Sequence, residues 1–313
     1  MIVFALLAAG ATITIIFLAF RHDLSEARAR LINDARWVVT SFGRLEYALL
    51  GEGVPVLVIH GACGGFDQSV QMAGNLVGRG YRLIAPSRFG YLGSGLPSGL
   101  TTSMQADAYA QLLDALGVER VFVVALSAGE WSVMQFAIRY PRRCRALALI
   151  VPPDHLPPGV LNHGGALVRA ICASNFIAWA VAKLAPIWPG AMRAMLGTDP
   201  GLVRDAEPAE RVRAYDILER LLSVNARYAG MQFDIETAAL REPLALARIT
   251  CPVLTISAAD DAFGTAARAE RIAEGVPDGR AVIFPAGGHA LVGHCFDAME
   301  SVASFFDSPG DAS

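Results

Sequence analysis

The sequence is short of charge, and the charge it has is balanced. Charged side chains make up 18% of its 313 residues and hydrophobic ones 54%. Lysine plus arginine number 26 against 29 aspartate plus glutamate, so there is no strong positive field to hold a nucleic acid or another polyanion. Cysteine is also scarce. Cys63, Cys144, Cys172, Cys251 and Cys295 lie far apart, with no Cys-x-x-Cys pair and no Cys/His cluster at metal-ligand spacing. Neither a disulfide scaffold nor a zinc site is indicated, and the thiols read as small hydrophobes of a reduced protein. Internal repeats and low-complexity tracts are missing as well. What remains is a folded chain long enough for one large α/β domain with a sizeable core.

Charge is absent altogether from Met1 to Phe20. A helix of that length, at about 1.5 Å per residue, matches a bilayer core of about 30 Å. A cleaved signal peptide and a helix buried in the core are the rival readings. No Lys or Arg precedes the apolar run, and Leu18-Ala19-Phe20 lacks the small-x-small pattern of a cleavage site, so the segment is expected to stay as a single-pass anchor. Residues 21–36 read as a polar juxtamembrane helix or linker. Its Arg21, Arg28, Arg30 and Arg36 place the body on the cytoplasmic side by the positive-inside rule.

The body then alternates. Trp37 to Phe42 and Arg44 to Leu50 have strand-like composition around Gly43, which suggests an antiparallel hairpin. Val54 to Ile59, Tyr81 to Ala85, Val121 to Ala125, Ala146 to Val151, Val253 to Ile256 and Ala281 to Phe284 are apolar runs suited to strands buried on both faces, as in a parallel sheet. Helical patterns at Ser69 to Val77, Ser103 to Leu116, Ala128 to Arg139, Thr265 to Ala273 and Leu291 to Phe306 separate most of them. One interval breaks the rhythm: residues 152–248 contain no evident strand and carry prolines at Pro157, Pro158, Pro186, Pro189, Pro200 and Pro208. It reads as an inserted helical subdomain over the core formed by residues 37–151 and 249–307. Its aromatic residues Phe176, Trp179, Trp188, Tyr215, Tyr228 and Phe233 serve either the insert's own core or a binding surface. The terminal Ser308 to Ser313 is expected to be frayed.

The chemistry-bearing signals sit where strands end. Val121 to Leu126 runs into Ser127 and then a helix, in Ala125-Leu126-Ser127-Ala128-Gly129. A serine hydroxyl is a weak nucleophile, and a tight strand-to-helix turn projects it toward a base with the positive helix end behind it. Taken alone, the serine would serve equally as a helix N-cap. Two later segments follow in the chain order Ser, acid, His. Val253 to Ala259 ends in Asp260-Asp261, where a carboxylate could orient an imidazole; Asp260 is expected to do so, with Asp261 the alternative. Val282 to Gly288 ends in His289, preferred over His294 as the general base. After the third strand, His60-Gly61-Ala62-Cys63-Gly64-Gly65 is a glycine-rich loop suited to aiming backbone N–H groups at an oxyanion, with Ala62 and Ala128 as the expected donors and His60 and Gly61 as supporting residues. It lacks the Gly-Lys-Ser/Thr ending of a phosphate loop.

With these residues in place, the chain resembles the α/β-hydrolase superfamily from roughly Trp37 to Phe306, in the branch with a His-Gly-x loop after the third strand and a helical lid after the sixth. The resemblance implies a mostly parallel eight-stranded sheet whose second strand is antiparallel, helices on both faces, and an acyl-binding cleft under the lid. Three positions depart from the usual pattern: Ala125 stands for glycine, Ser87 for aspartate and Ser257 for glycine. Members of the superfamily include esterases, lipases, lactonases and carbon-carbon bond hydrolases, so reaction class does not follow from fold. Relatives that open epoxides or cleave carbon-halogen bonds use an aspartate where this chain has Ser127. The expectation is a serine hydrolase of ester-like, largely apolar small molecules that needs no cofactor or metal. Carbon-carbon bond hydrolysis or acyl transfer on the same residues, and a catalytically idle membrane-anchored binding protein, stand as alternatives.

Overall fold

The computed structural model describes residues 1–153, 171–188, 190–240 and 244–307. Pro157, Pro158, Pro189 and the terminal Ser308 to Ser313 lie outside the described residues. The chain opens with one helix, α1 (Ile2–Asn33), that runs unbroken through both the apolar segment and the polar stretch after it. No glycine or proline occurs from Ala11 to Asn33, so nothing stops the helix at the change of polarity. Residues 21–33 are therefore helical, the first of the two readings, and continue the apolar helix. Thr12 and Thr14 donate their hydroxyls to the carbonyls of Ala8 and Gly10, 2.9 Å each, so these two hydroxyls are satisfied within the helix.

Eight strands follow: β1 (Arg36–Thr40), β2 (Gly43–Leu50), β3 (Val54–Ile59), β4 (Tyr81–Pro86), β5 (Val121–Leu126), β6 (Cys144–Ile150), β7 (Val253–Ala258) and β8 (Gly279–Phe284). They form one sheet in the order β1-β2-β4-β3-β5-β6-β7-β8. β2 is antiparallel to β1 and β4, and every other pairing is parallel. All eight fall on segments read as strands in the sequence, six of them apolar runs and the first two the hairpin around Gly43. The central strands are apolar on both sides because both faces are covered: Leu57, Ile59, Val123 and Leu149 face one core cluster, Val56, Val58, Val124 and Ala148 the other.

The covering helices are α2 (Phe66–Ala73), α3 (Thr102–Ala115), α4 (Glu130–Arg139) and, after the insert, α10 (Thr265–Gly275) and α11 (Cys295–Phe306). Thr101 caps α3 by accepting from the N–H of Met104 at 3.1 Å. Helix α11 starts at Cys295 rather than Leu291, since residues 291–294 form turns about Gly293, whose φ is +81°.

Between β6 and β7 the described residues contain no strand. They hold α5 (Asn175–Leu184), α6 (Gly190–Leu196), α7 (Pro200–Asp205), α8 (Pro208–Glu219) and α9 (Tyr228–Leu240). Pro200 and Pro208 each open a helix, where the missing N–H costs nothing and the fixed φ suits the first turn. Of the insert's six aromatic residues noted above, Trp179 is buried in a cluster with Ala27, Cys172 and Met231, whereas Phe176 and Trp188 are exposed.

Candidate active site

Strand β5 delivers Ser127 in a conformation that L residues seldom adopt. Its φ is +46°, the left-handed region, so the chain reverses abruptly into a short 3-10 turn (Ser127–Gly129) and then α4. The turn is possible because its neighbours are small. A Cβ on Gly129 would lie 2.7 Å from the carbonyl oxygen of His60, and one on Gly61 would lie 3.1 Å from the Cβ of Ser127. Ala125, by contrast, is an ordinary buried strand residue paired with Ile59 and Leu149, so its methyl group is accommodated in the core.

His289 follows β8 on a loop shaped by Gly287 (φ +142°) and Gly288 (φ +59°). The insert clamps this loop: the hydroxyl of buried Thr198 accepts from the N–H of Ala290 at 3.1 Å, and a Cβ on Gly288 would meet the Cα of Thr198 at 2.7 Å. The imidazole Nδ1 lies 2.7 Å from Oδ2 of Asp261 and Nε2 lies 3.0 Å from Oγ of Ser127. A carboxylate only accepts, so Nδ1 carries the proton, and Nε2 is left to accept from the serine hydroxyl. Ser127, His289 and Asp261 thus form one continuous hydrogen-bonded chain.

The acid in that chain is Asp261, and Asp260 is not part of it. After β7 the N–H of Asp261 donates to the carbonyl of Ala258 at 3.2 Å, closing a turn with Asp260 at its tip. Asp260 is exposed there and accepts from the N–H of Gly288 at 2.8 Å. Asp261, one residue on, points back and is buried, accepting from the N–H of Phe263 at 2.9 Å and from the hydroxyl of Thr265. Because the Thr265 proton goes to the carboxylate, Ser257 must donate to Thr265, at 2.6 Å. The serine standing where glycine is usual therefore belongs to the chain of hydroxyls that holds Asp261.

The loop after β3 is fixed from behind. His60 is fully buried, its Nδ1 donating to the carbonyl of Gly61 at 2.7 Å and its Nε2 accepting from the N–H of Arg88 at 2.8 Å. Burial, reinforced by the Arg88 guanidinium, pushes its pKa well below the ordinary 6.5, so the ring is neutral. Gln68 accepts from the N–H of Gly61 at 2.8 Å, and Arg88 adds a second donor to the Gly61 carbonyl at 3.0 Å. The Gly61 carbonyl and the Ala62 N–H belong to one planar trans peptide and point in opposite directions. Holding the first from the core side therefore aims the second away from the core.

Arg88 is itself held by a buried partner from the insert. Its guanidinium donates to both carboxylate oxygens of Asp234 on α9, at 2.5 and 2.7 Å, and the Tyr91 hydroxyl donates to the same carboxylate. Although burial disfavours the charge, Asp234 keeps the arginine pKa raised. Sequence alone does not show this network. Arg88 lies in the Ser87 to Ser94 turn, but nothing marked Asp234 as its partner. Ser87, where aspartate is usual, is buried, donating to Glu46 at 2.9 Å and accepting from the N–H of Phe66 at 3.1 Å.

Ala62, Ser127, Ala128 and His289 line a single cavity of about 760 Å³ between sheet and insert. Most of its wall is apolar, from Trp131, Ile150, Met195, Leu221, Met231 and Phe263 among others. None of the six aromatic residues singled out in the insert lines it; its aromatic lining comes from Trp131 and Phe263 in the core. Ligand atoms of His22, Asp23 and Glu26 lie within 4.8 Å of one another, but these residues are on α1, outside the cavity lining, and Asp23 is already engaged by Trp179 and Lys183.

Residues 54–293 match the family model described as the alpha/beta hydrolase fold. The chain is an α/β hydrolase. Among curated relatives, this hydrolase is 28% identical over 261 residues to the uncharacterized hydrolase YcgS of Bacillus subtilis, covering 80% of this chain and 89% of that one. A stretch of 116 residues, 34% of this chain and 40% of the relative, is 34% identical to the 2-hydroxy-6-oxo-6-phenylhexa-2,4-dienoate hydrolase of Comamonas testosteroni. An alpha/beta hydrolase fold protein from Nakamurella multipartita superposes with a TM-score of 0.67 at 26% identity, covering 86% of this hydrolase and 98% of that chain.

Proposed function

We propose that this α/β hydrolase is a membrane-anchored serine hydrolase that cleaves ester-like, largely apolar small molecules through an acyl-enzyme. The observation that carries the reading is the unbroken Ser127–His289–Asp261 chain opening into an apolar cavity. In the first half-reaction the Ser127 oxygen attacks the substrate carbonyl while its proton passes to Nε2 of His289. Asp261, buried and supplied with two further donors, keeps Nδ1 protonated and balances the imidazolium that forms. The developing oxyanion is met by the backbone N–H groups of Ala62, aimed by the His60–Gly61–Arg88 contacts, and of Ala128 at the helix start. As the tetrahedral species collapses, His289 returns the proton to the departing alkoxide, leaving Ser127 acylated. Water, deprotonated by the same nitrogen, then releases the acid and restores the serine.

A second reading, hydrolysis of a carbon-carbon bond on the same residues, is favoured by the Comamonas relative. The anchor reading is supported by α1, whose apolar part is long enough to cross a membrane and is entirely exposed, with the arginines after it favouring a cytoplasmic catalytic domain. Labelling the full chain with a fluorophosphonate tests the central claim: Ser127 should carry the tag and Ser127→Ala should not. A wild-type protein that takes no label under conditions where it is folded would make this an idle member. A panel of acyl esters and ring-cleavage products then separates the two enzymatic readings by which one is turned over.

A further inference from the structure

The exposed part of α1 leaves the protein body at the insert. Every side chain from Met1 to Ala19 is exposed, and contact begins at Phe20, whose ring meets Phe176 at 5.3 Å and Trp179 at 5.7 Å, edge-on. Just beyond, Asp23 accepts from the indole N–H of Trp179 at 2.9 Å and pairs with Lys183 at 3.1 Å, while Leu24 and Ala27 are buried. All three partners of this junction lie on α5.

Helix α5 has an unusual surface for a helix at the edge of a folded body. Its inner face buries Ala178, Trp179 and Ala182, yet its outer face is apolar too: Phe176 is 45% exposed, Ile177 41% and Leu184 47%. The chain continues outward through Ile187, 78% exposed, and Trp188, 46% exposed. The helix has one charged residue, Lys183, already paired with Asp23 and Glu219. A surface helix in water has a polar outer face, and one that is apolar all round belongs against protein or lipid.

The position of the patch identifies what covers it. Residues Ile2–Ala19 make roughly 27 Å of helix, close to the hydrocarbon thickness of a bilayer, so the membrane boundary falls at Phe20. Phe176 is in ring contact with Phe20, which puts the patch at that same level. Tryptophan, with an apolar body and a polar tip, favours this boundary. We propose that the outer face of α5, with Ile187 and Trp188, lies in the headgroup–acyl boundary of the bilayer that α1 crosses. The proposal rests on the anchor reading above. It also deepens the substrate assignment. Helix α6, which follows Trp188 directly in the insert, contributes Ala194, Met195 and Leu196 to the cavity wall, so one wall of the cavity hangs from the lipid surface. Such a site draws on esters that partition into the bilayer.

The test uses the full chain in phosphatidylcholine vesicles, with and without brominated acyl chains. The tryptophan emission lost in Trp188→Phe should be the emission that brominated lipid quenches. A second variant, Ile187→Asp with Trp188→Asp, should turn over a long-chain ester presented in the vesicles roughly tenfold more slowly, with turnover of a short water-soluble ester unchanged. Resistance to alkaline carbonate extraction reports the anchor separately. Protein that resists extraction but shows no Trp188-dependent quenching, or has Trp188 covered by a cross-linkable second copy, overturns the lid contact and leaves the anchor standing. Protein released by carbonate overturns the anchor and the lid contact together. Quenching needs no turnover, so failure of the ester reading is read independently of both.

Discussion

The hydrolase places two histidines at the ends of parallel strands, in opposite chemical surroundings. His60 follows β3 and His289 follows β8, each in a glycine-rich loop and each hydrogen-bonded through both ring nitrogens. Around His60 the partners are backbone groups, a carbonyl that only accepts and an amide that only donates, so the ring is held in one tautomer with no proton to pass on. Around His289 the partners are a carboxylate and a serine hydroxyl, which can exchange a proton through the ring, and the side chain keeps 15% exposure to the cavity. On the mechanism proposed above, the chemistry of the partners, rather than the residue or its place on the strand, separates a positioning histidine from a proton carrier.

The largest effects should fall on one side of this comparison only. His289→Ala should lower kcat on an activated ester by about 10⁴-fold while moving the unfolding midpoint little, because the ring is a side wall of the cavity. His60→Ala should do the reverse, costing about 2–3 kcal/mol of stability by stranding the buried Arg88 N–H, with a smaller loss of rate. Asp261→Asn should approach the His289 effect, again about 10⁴-fold, since an amide stabilises the wrong tautomer. Asp260→Asn should leave kcat within about threefold. Kinetics and thermal unfolding of these four variants decide the matter, and a catalytically dead Asp260→Asn with an active Asp261→Asn would overturn the assignment of the acid.

Much of this was legible before any coordinates. Six of the eight strands are apolar runs, because a sheet covered on both faces admits little else, and the first two stand out as strand-like segments around Gly43; the serine and histidine sit where such runs end. Asp260 against Asp261 was not legible, since adjacent residues in a turn face opposite ways and composition does not record which one returns to the sheet. Arg88 and Asp234 escaped for a different reason: they are 146 residues apart, and their pairing depends on how the insert settles on the core. The aromatic residues of the insert suggested a lining surface by type alone, but a helix exposes or buries a ring according to its face.

That pair gives the next largest effect and tests whether the His60 loop depends on the insert. Asp234→Ala leaves a guanidinium buried without its counter-charge and should cost about 3–5 kcal/mol, measured by chemical denaturation in detergent. Arg88→Met combined with Asp234→Leu should recover most of that stability, because it removes both charges at once. Activity should not recover with it, since Arg88 also donates to the Gly61 carbonyl that orients the Ala62 peptide. If the double variant regains full turnover, the aim of Ala62 is set by His60 alone and the insert has no part in it.

The smallest effect isolates His60 by pH. Its pKa lies well below 6.5 in the folded chain and returns toward 6.5 on unfolding. Above that value both states carry a neutral ring, and pH has no leverage through it. Below it the unfolded chain binds a proton that the fold refuses, so stability must fall with falling pH, at up to about 1.4 kcal/mol per unit until the folded value is reached. Other groups titrate in the same range, so the informative quantity is the difference between wild type and His60→Gln, whose side chain cannot take up the proton. The variant should start less stable and decline less steeply below pH 6.5. Parallel declines would mean that His60 accepts a proton in place, and that the contrast between the two histidines is one of degree.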